Sequence, residues 1–159
     1  MKQVPEVTIH TDGSSLGNPG PGGWGAILSC PDKRKEMSGA FTRTTNNRME
    51  VLAAIMALEA LKVSCKVSLY TDSRYLCDAI EKKWIYGWIK KGWLNSAKKP
   101  VKNKDLWLRL LPQIQRHDLR LHWLRGHSGH PENERCDELA RSAAQSGPSE
   151  PDRGYEDEG

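Results

Sequence analysis

Residues 66–73, Lys-Val-Ser-Leu-Tyr-Thr-Asp-Ser, hold the pattern that decides the fold. The first six residues form a short apolar run with strand-forming side chains, which predicts a β-strand. Asp72 and Ser73 follow directly, and both residue types favour the start of a helix. The sequence therefore predicts an acidic side chain at the point where a strand ends and a helix begins.

Residues 4–11, Val-Pro-Glu-Val-Thr-Ile-His-Thr, predict a second strand of this kind, and Asp12 follows it. Because a predicted helix lies between the two strands in the chain, we expect the strands to run parallel and side by side. Their carboxyl ends then meet at the edge where open α/β sheets bind ligands. Asp12 and Asp72 are thus expected to be neighbours.

The other predicted elements complete a mixed sheet with helices on its faces. They are, in order, a loop at residues 12–23, a hairpin of strands 24–30 and 33–42, a helix from Asn46 or Asn47 to about residue 61, helices at 73–82, 83–91 and 103–116, a strand at 117–123 and a helix at 131–145. This order indicates an α/β domain. We expect one folded domain, residues 1–146, followed by an acidic and disordered tail, residues 147–159.

The net charge of +4 conceals a strong local imbalance. Residues 82–104 contain eight lysines and no acidic residue, whereas residues 147–159 contain five acids and one arginine. A basic patch of this kind usually faces a polyanion. The basic segment also holds three of the six tryptophans, and interleaved cations and rings suit a groove that follows a nucleic-acid backbone. The alternative is a solvated helix with its tryptophans in the core, and we expect a split, with some rings buried and the lysines exposed.

Composition indicates a globular chain that works in the cytoplasm. The longest apolar run, residues 51–58, has 8 residues, against the ~20 that a membrane helix needs. The N-terminal residues lack the apolar segment of a secretory signal. The four cysteines form no Cys-X-X-Cys pair, and free thiols fit such a chain better than the two disulfides that their number allows.

Four acidic residues are candidates for a metal site: Asp12, Glu50 in the first turn of the long helix, Asp72, and Asp137 in the last helix. Carboxylates gathered at one sheet edge repel one another unless a cation lies between them. Hard oxygen ligands suit Mg²⁺ or Mn²⁺. Each residue also has an ordinary structural interpretation, as a turn residue, a helix cap, a partner of a helix N-terminus or a solvated helix residue.

Five motifs resemble those of bacterial type 1 ribonuclease H, in the same order and at similar spacing. They are residues 11–14 (TDGS), 17–25 (GNPGPGGWG), 44–50 (TTNNRME), 70–73 (YTDS) and 126–140 (GHSGHPENERCDELA). The resemblance covers about residues 4–144. It implies the ribonuclease H fold, a five-stranded mixed sheet of strand order 3-2-1-4-5 flanked by helices. It also implies an endonuclease that cuts the RNA strand of RNA–DNA hybrids with two Mg²⁺ ions, for which Mn²⁺ can substitute, as a monomer without an obligatory protein partner.

The resemblance assigns roles to the catalytic candidates. Asp12, Glu50, Asp72 and Asp137 match the metal-binding carboxylates of the family, and none of them is substituted. His127 matches the histidine that activates water or assists product release, and a histidine can move protons at neutral pH. The alternative for His127 is a merely exposed side chain.

The resemblance also implies a substrate surface. Asn18, Asn46 and Asn47 match residues that contact ribose hydroxyls in the minor groove, although Asn18 also suits a turn and Asn46 a helix cap. The residues expected to hold the DNA strand are Arg43, Thr45 and Asn103 in a phosphate pocket, and Trp84, Trp88, Lys90, Lys91, Trp93, Lys98 and Lys99 in the basic segment. Arg74 stands where many relatives carry glutamine, so the preference near the cleavage site is left open.

Two other functions compete with this hypothesis. The first is a DNA-acting nuclease or integrase-type enzyme on the same fold, which would share the carboxylates but not the need for the asparagine motif. The second is a module that binds hybrids without cutting them, against which the complete carboxylate set argues. A purely structural protein has no reason to bear the cost of four like charges at one edge.

Overall fold

The computed structural model describes residues 4–125 and 129–157. Within these residues the chain forms β1 (Glu6–Ser15), β2 (Gly20–Cys30), β3 (Lys33–Thr44), α1 (Asn46–Glu59), β4 (Lys66–Thr71), α2 (Arg74–Glu81), α3 (Trp84–Lys90), α4 (Lys104–Arg116), β5 (Asp118–Trp123), α5 (Pro131–Ser146), β6 (Ser149–Glu150) and α6 (Arg153–Asp157). The predicted α/β class is confirmed, and most predicted elements lie within a few residues of their observed bounds.

One mixed sheet runs through the described chain in the order β5-β4-β1-β2-β3-β6. β1, β2 and β3 form antiparallel pairs, while β4 lies parallel to β1, with Glu6 opposite Lys66 and His10 opposite Tyr70. β5 is parallel to β4. The expected parallel pairing of the strands before Asp12 and Asp72 is therefore confirmed, as is the five-strand order, to which β6 adds a sixth strand.

Helix α1 is the centre of the core. Its residues are buried around most of its circumference, because β1 and β2 contact one side and α4 another. Val51, Ile55 and Leu58 are completely buried, and each such side chain contributes about 1.5–3 kcal/mol when it leaves water. α5 packs on β1, β2 and β3. This packing fixes α1, and with it Glu50, against the sheet.

The prediction of a loop over residues 12–23 is wrong. β1 continues to Ser15 and β2 begins at Gly20, so only residues 16–19 connect them. Two of the glycines permit the close approach of a helix: a Cβ at Gly13 would collide with the backbone of α1 at Glu50, and one at Gly23 would collide with the backbone of α5. Glycine in a strand often marks such an approach of another backbone.

The start of α1 also differs from the prediction. Thr45 is the N-cap, and its hydroxyl accepts a hydrogen bond from the backbone N–H of Arg48 at 3.2 Å. Asn46 is therefore the first residue of the helix, and Glu50 lies in the second turn rather than the first. The threonine provides what the helix start requires, which leaves the two asparagine side chains available for other contacts.

The four cysteines are free thiols: Cys30 is exposed, and Cys65, Cys77 and Cys136 are buried. Burial raises the pKa of Cys65, Cys77 and Cys136. A raised pKa leaves little reactive thiolate at neutral pH. In the described residues, no helix has the length and apolar character required to cross a membrane.

The C-terminal segment, residues 147–157, which we expected to be disordered, forms β6 and α6 and contacts β3 and α1. β6 pairs with β3 through Ser149 and Glu150, and Asp152 is buried. The Asp152 carboxylate accepts hydrogen bonds from the Thr44 hydroxyl at 2.6 Å and from Arg48 Nε at 2.8 Å. Arg48 is itself buried and therefore requires anionic partners. We expected disorder from the acidic composition of the segment. Composition does not show that one of these acids, Asp152, binds a buried arginine.

Asp152 and Arg48 stabilise each other's charged forms. Burial alone would raise the pKa of Asp152, but hydrogen bonds from Arg48 and Thr44 outweigh it and lower that pKa. Burial likewise opposes the charge of Arg48, and its hydrogen bonds to Asp105 and Asp152 more than compensate, so the pKa of Arg48 is raised. The ion pair therefore persists through the neutral pH range and anchors the segment to α1.

Asp152→Asn should lower the free energy of unfolding by about 2 kcal/mol, because the buried Arg48 loses one of its two anionic partners and keeps only Asp105. Urea unfolding at neutral pH measures this loss. Because the folded pKa of Asp152 is lowered, the contribution of its charge is present above the unfolded value and disappears as pH falls through the folded value. The exposed neighbour provides the control: Glu150→Gln should change stability by less than about 0.5 kcal/mol. An equally small effect of Asp152→Asn would contradict the anchor.

Candidate metal-binding active site

Three carboxylates from distant parts of the chain meet at one end of the sheet. Asp12 lies within β1, Glu50 in α1 and Asp72 directly after β4, and one carboxylate oxygen from each lies within 4.8 Å of the others. The parallel pairing of β1 with β4 brings the two aspartates together. Gly13 lets α1 approach closely enough to add Glu50. The fold thus builds the cluster that the sequence predicted for these three residues.

The cluster is electrostatically strained without a cation. Burial, followed by repulsion from Asp72, raises the pKa of Asp12 to about 8, although the Gly13 N–H donates to Asp12 Oδ1 at 2.9 Å and opposes the shift. Burial also raises the pKa of Glu50, and Asp72 adds to it. A divalent cation between the three groups would remove this repulsion. The donor set, carboxylate oxygens alone, fits a hard ion such as Mg²⁺ or Mn²⁺.

Asp137 does not join the three-carboxylate cluster. It lies near enough for its charge to raise the pKa of Asp12, but its Oδ2 accepts a hydrogen bond from Arg141 Nε at 2.9 Å, one turn further along α5. Both side chains of this pair are partly exposed, and such pairs are worth at most about 1 kcal/mol. Of the four predicted metal ligands, the structure therefore brings three together and holds the fourth beside them.

His127 lies outside the described residues, together with Gly126 and Ser128. Its expected role in moving a proton is consequently based on the sequence motif alone. The N-terminal end of α5, beginning at Pro131, is described and carries Asp137.

Two predicted substrate residues form a hydrogen-bonded chain that ends at the cluster. Asn18 Oδ1 accepts from the backbone N–H of Asn46 at 3.0 Å, and Asn46 Nδ2 donates to Glu50 Oε1 at 3.1 Å. Asn18 therefore positions the start of α1 from the exposed turn, and Asn46 orients a candidate metal ligand. Asn47, the next residue, is exposed.

The predicted phosphate-pocket residues line one open pocket with a volume of about 890 Å³. Arg43 is exposed, Thr45 is half-buried at the start of α1, and Asn103 is buried. The side chain of Asn103 is already engaged, since its Oδ1 accepts from Arg48 Nη1 at 3.2 Å and its Nδ2 donates to the Tyr75 hydroxyl at 3.1 Å. Asn103 thus supports the pocket as well as lining it. Tyr155 and Glu156 of the C-terminal segment, which were not predicted, lie on its wall.

The basic segment shows the expected split between lysines and rings. All eight lysines are exposed: Lys82, Lys83, Lys90, Lys91, Lys98, Lys99, Lys102 and Lys104. Trp84 is 39% exposed, while Trp88 and Trp93 pack against the core, with Trp88 at 5.7 Å from the ring of Trp107. The segment therefore presents its lysines to solvent and is anchored to the core by two tryptophans.

Trp123, at the end of β5, is a site residue that the sequence analysis missed. Its indole N–H donates to the backbone carbonyl of Asp72 at 3.1 Å, and the guanidinium of Arg74 lies 4.6 Å from its ring centroid. The Trp123 side chain therefore contacts both the backbone of Asp72, a candidate metal ligand, and the side chain of Arg74. The one available signal was a tryptophan at the end of a strand beside the predicted site.

The RNase H family profile matches residues 4–145. The chain belongs to the RNase H family. A ribonuclease H of Nitratidesulfovibrio vulgaris is 61% identical over 149 residues, which cover 94% of this chain and 96% of that protein. One from Shewanella loihica is 55% identical over 159 residues, the full length of both. The structure of LC9-RNase H1, a type 1 RNase H with the type 2 active-site motif, is 31% identical, with a TM-score of 0.80 over 91% of this chain and 74% of that one.

Membership of this family makes the chain an enzyme, a metal-dependent ribonuclease of the kind that acts on RNA–DNA hybrids. The cluster of Asp12, Glu50 and Asp72 agrees with this class of reaction, since it can hold a cation at the edge of the sheet. The resemblance found in the sequence is therefore confirmed at the level of family, fold and activity.

Asp12→Asn should stabilise the metal-free protein, and the gain should grow between about pH 5 and about pH 9. The folded pKa of Asp12 is about 8, against ~3.9 for an unfolded aspartate, so the wild type loses stability as pH rises through this interval and the variant does not. Urea unfolding with chelator at both pH values measures the difference. Asp118→Asn, an exposed change at the opposite end of the sheet, should show no such growth. A gain that stays constant with pH would refute the raised pKa.

Proposed function

We propose that this chain is an endonuclease that hydrolyses the RNA strand of RNA–DNA hybrids with two Mg²⁺ ions, leaving 3′-hydroxyl and 5′-phosphate ends. The observation that carries the proposal is the cluster of Asp12, Glu50 and Asp72, whose oxygens lie within 4.8 Å of one another at the end of the sheet. The amide chain and the basic surface beside it supply contacts for a nucleic-acid duplex.

The carboxylates would share the ions between them. Asp12, the most central residue, would contact both, Glu50 and Asp72 would hold one, and Asp137 would exchange Arg141 for the other. Mn²⁺ offers the same preference for oxygen and would substitute. When bound, such ions activate water and neutralise charge on the leaving oxygen.

The asparagines would recognise the RNA strand. A hybrid-specific enzyme must detect 2′-hydroxyl groups on one strand and their absence on the other. Amides both donate and accept hydrogen bonds, and Asn18, Asn46 and Asn47 lie together at the turn beside Glu50. His127 would accept or deliver a proton during the reaction. Arg74, whose guanidinium lies over the Trp123 ring, would contact the backbone next to the cut.

The DNA strand would lie across the pocket and the basic segment. Arg43, Thr45 and Asn103 line the pocket, and Lys99 belongs both to its lining and to the segment. The exposed lysines neutralise phosphates, while Trp84 offers a ring to the sugars. All of these groups come from one chain, so we further propose a monomer that acts without a protein partner. We also propose that it acts in the cytoplasm.

Cleavage of strand-labelled duplexes tests the proposal. With Mg²⁺ the chain should cut the RNA strand of an RNA–DNA hybrid and leave DNA–DNA and RNA–RNA duplexes of the same sequence intact; with chelator it should cut none. Asp12→Asn should abolish cutting, a loss of at least about 10³-fold, while the hybrid is still bound. Cutting of DNA–DNA at a similar rate would favour a DNA nuclease, and binding without cutting would favour a non-catalytic module.

Replacing Lys90, Lys91, Lys98 and Lys99 by alanine should weaken binding of the hybrid and flatten its salt dependence. Each phosphate contact contributes about one to the slope of log K against log salt. Affinity measured on the Asp12→Asn background between low and high salt gives this slope. The matched control replaces four other exposed lysines, Lys33, Lys35, Lys62 and Lys66, and should leave the slope unchanged. An equal slope in both variants would remove the basic segment from the substrate surface.

A further inference from the structure

The C-terminal segment contributes a wall to the pocket proposed for the DNA strand. Tyr155 and Glu156 of α6 line the same 890 Å³ pocket as Arg43 and Thr45. The Arg43 guanidinium carbon lies 5.7 Å from the centroid of the Tyr155 ring. The family profile ends at residue 145, so this wall lies outside the profile, although the Shewanella loihica relative aligns over the full chain.

The segment is held in place from several directions. The Asp152 carboxylate binds Thr44 and Arg48, and its Oδ1 also accepts from the backbone N–H of Tyr155 at 3.3 Å. Gly154 packs so closely on Asp105 and Arg48 that a Cβ there would collide with both. The position of the Tyr155 ring is therefore fixed by the buried side chain of Asp152, which also binds Thr44, the residue between Arg43 and Thr45.

Arg43 has the features of a side chain that benefits from such support. It is exposed, and a long guanidinium side chain loses considerable rotamer entropy when it binds one phosphate. An aromatic face attracts a guanidinium and restricts its position. Glu156 lines the same pocket, and its carboxylate repels an anion, so any gain that the segment brings to phosphate binding has to come through the ring and Arg43.

We propose that Tyr155 is a positioning residue for substrate binding: its ring holds Arg43 toward the pocket for a phosphate of the DNA strand. The proposal rests on the proposed function, because it takes the hybrid as substrate. The ring acts through Arg43 and does not touch the reacting atoms. It should therefore alter the affinity for the hybrid and leave the chemical step unchanged.

Kinetics of hybrid cleavage test this role. Tyr155→Ala should raise KM about threefold to fivefold, which corresponds to an exposed cation–π contact, with kcat within twofold of the wild type. Tyr155→Phe keeps the ring and should restore the wild-type KM. Tyr155→Leu keeps apolar bulk without the ring and should behave like alanine, which separates the ring from packing of α6. An unchanged KM in both ring-free variants, or a loss in kcat instead, overturns the proposal.

Arg43→Ala provides the decisive comparison. If Tyr155 acts through Arg43, the double variant should have the KM of Arg43→Ala alone, since two residues in one interaction are not additive. A single neutral methylphosphonate at the DNA phosphate that Arg43 binds should likewise abolish the effect of Tyr155→Ala. Additive effects, or an undiminished effect on the neutral substrate, overturn the proposal. The wild type is the internal reference: if it fails to cut the hybrid, the proposed function fails and not merely the role of Tyr155.

Discussion

The close approach of Asp12, Glu50 and Asp72 is the constraint on which the rest of this structure depends. Three carboxylates within 4.8 Å repel one another, and burial of Asp12 makes the repulsion stronger. Such an arrangement persists only if the surrounding packing imposes it. Here that packing consists of the parallel strands β1 and β4 and of helix α1, which is buried on most sides. The core therefore stores the electrostatic strain that a bound cation would relieve.

The parts of the fold that the sequence predicted are those with local signals. Residues 66–71 form the short strand that they predict, Ser73 caps the next helix as its type suggests, and the strand before Asp12 runs parallel to the one before Asp72. Three of four carboxylates were correctly placed together for the same reason, since strand ends determine their position. Asp137 lies beside them, and its carboxylate accepts a hydrogen bond from Arg141 one turn further along α5.

The errors arose where a residue serves a distant partner. The glycines of residues 12–23 resemble a loop, yet Gly13 and Gly23 exist so that α1 and α5 can approach the sheet. Asp152 resembles one more acid in a polar tail, yet it binds an arginine more than a hundred residues earlier. Composition and periodicity describe neighbours along the chain, and neither contains information about which buried cation an acid will meet.

The hydrogen-bonded chain from Asn18 through Asn46 to Glu50 has a consequence for fidelity. Under the proposed function, the groups that inspect the minor groove also steer a ligand of the ion. A duplex with the wrong sugar would pull the amide of Asn46 out of line and thereby misalign Glu50. The enzyme would then discriminate between duplexes after binding. An incorrect duplex could bind in the groove, but its cleavage would be slow because Glu50 is misaligned.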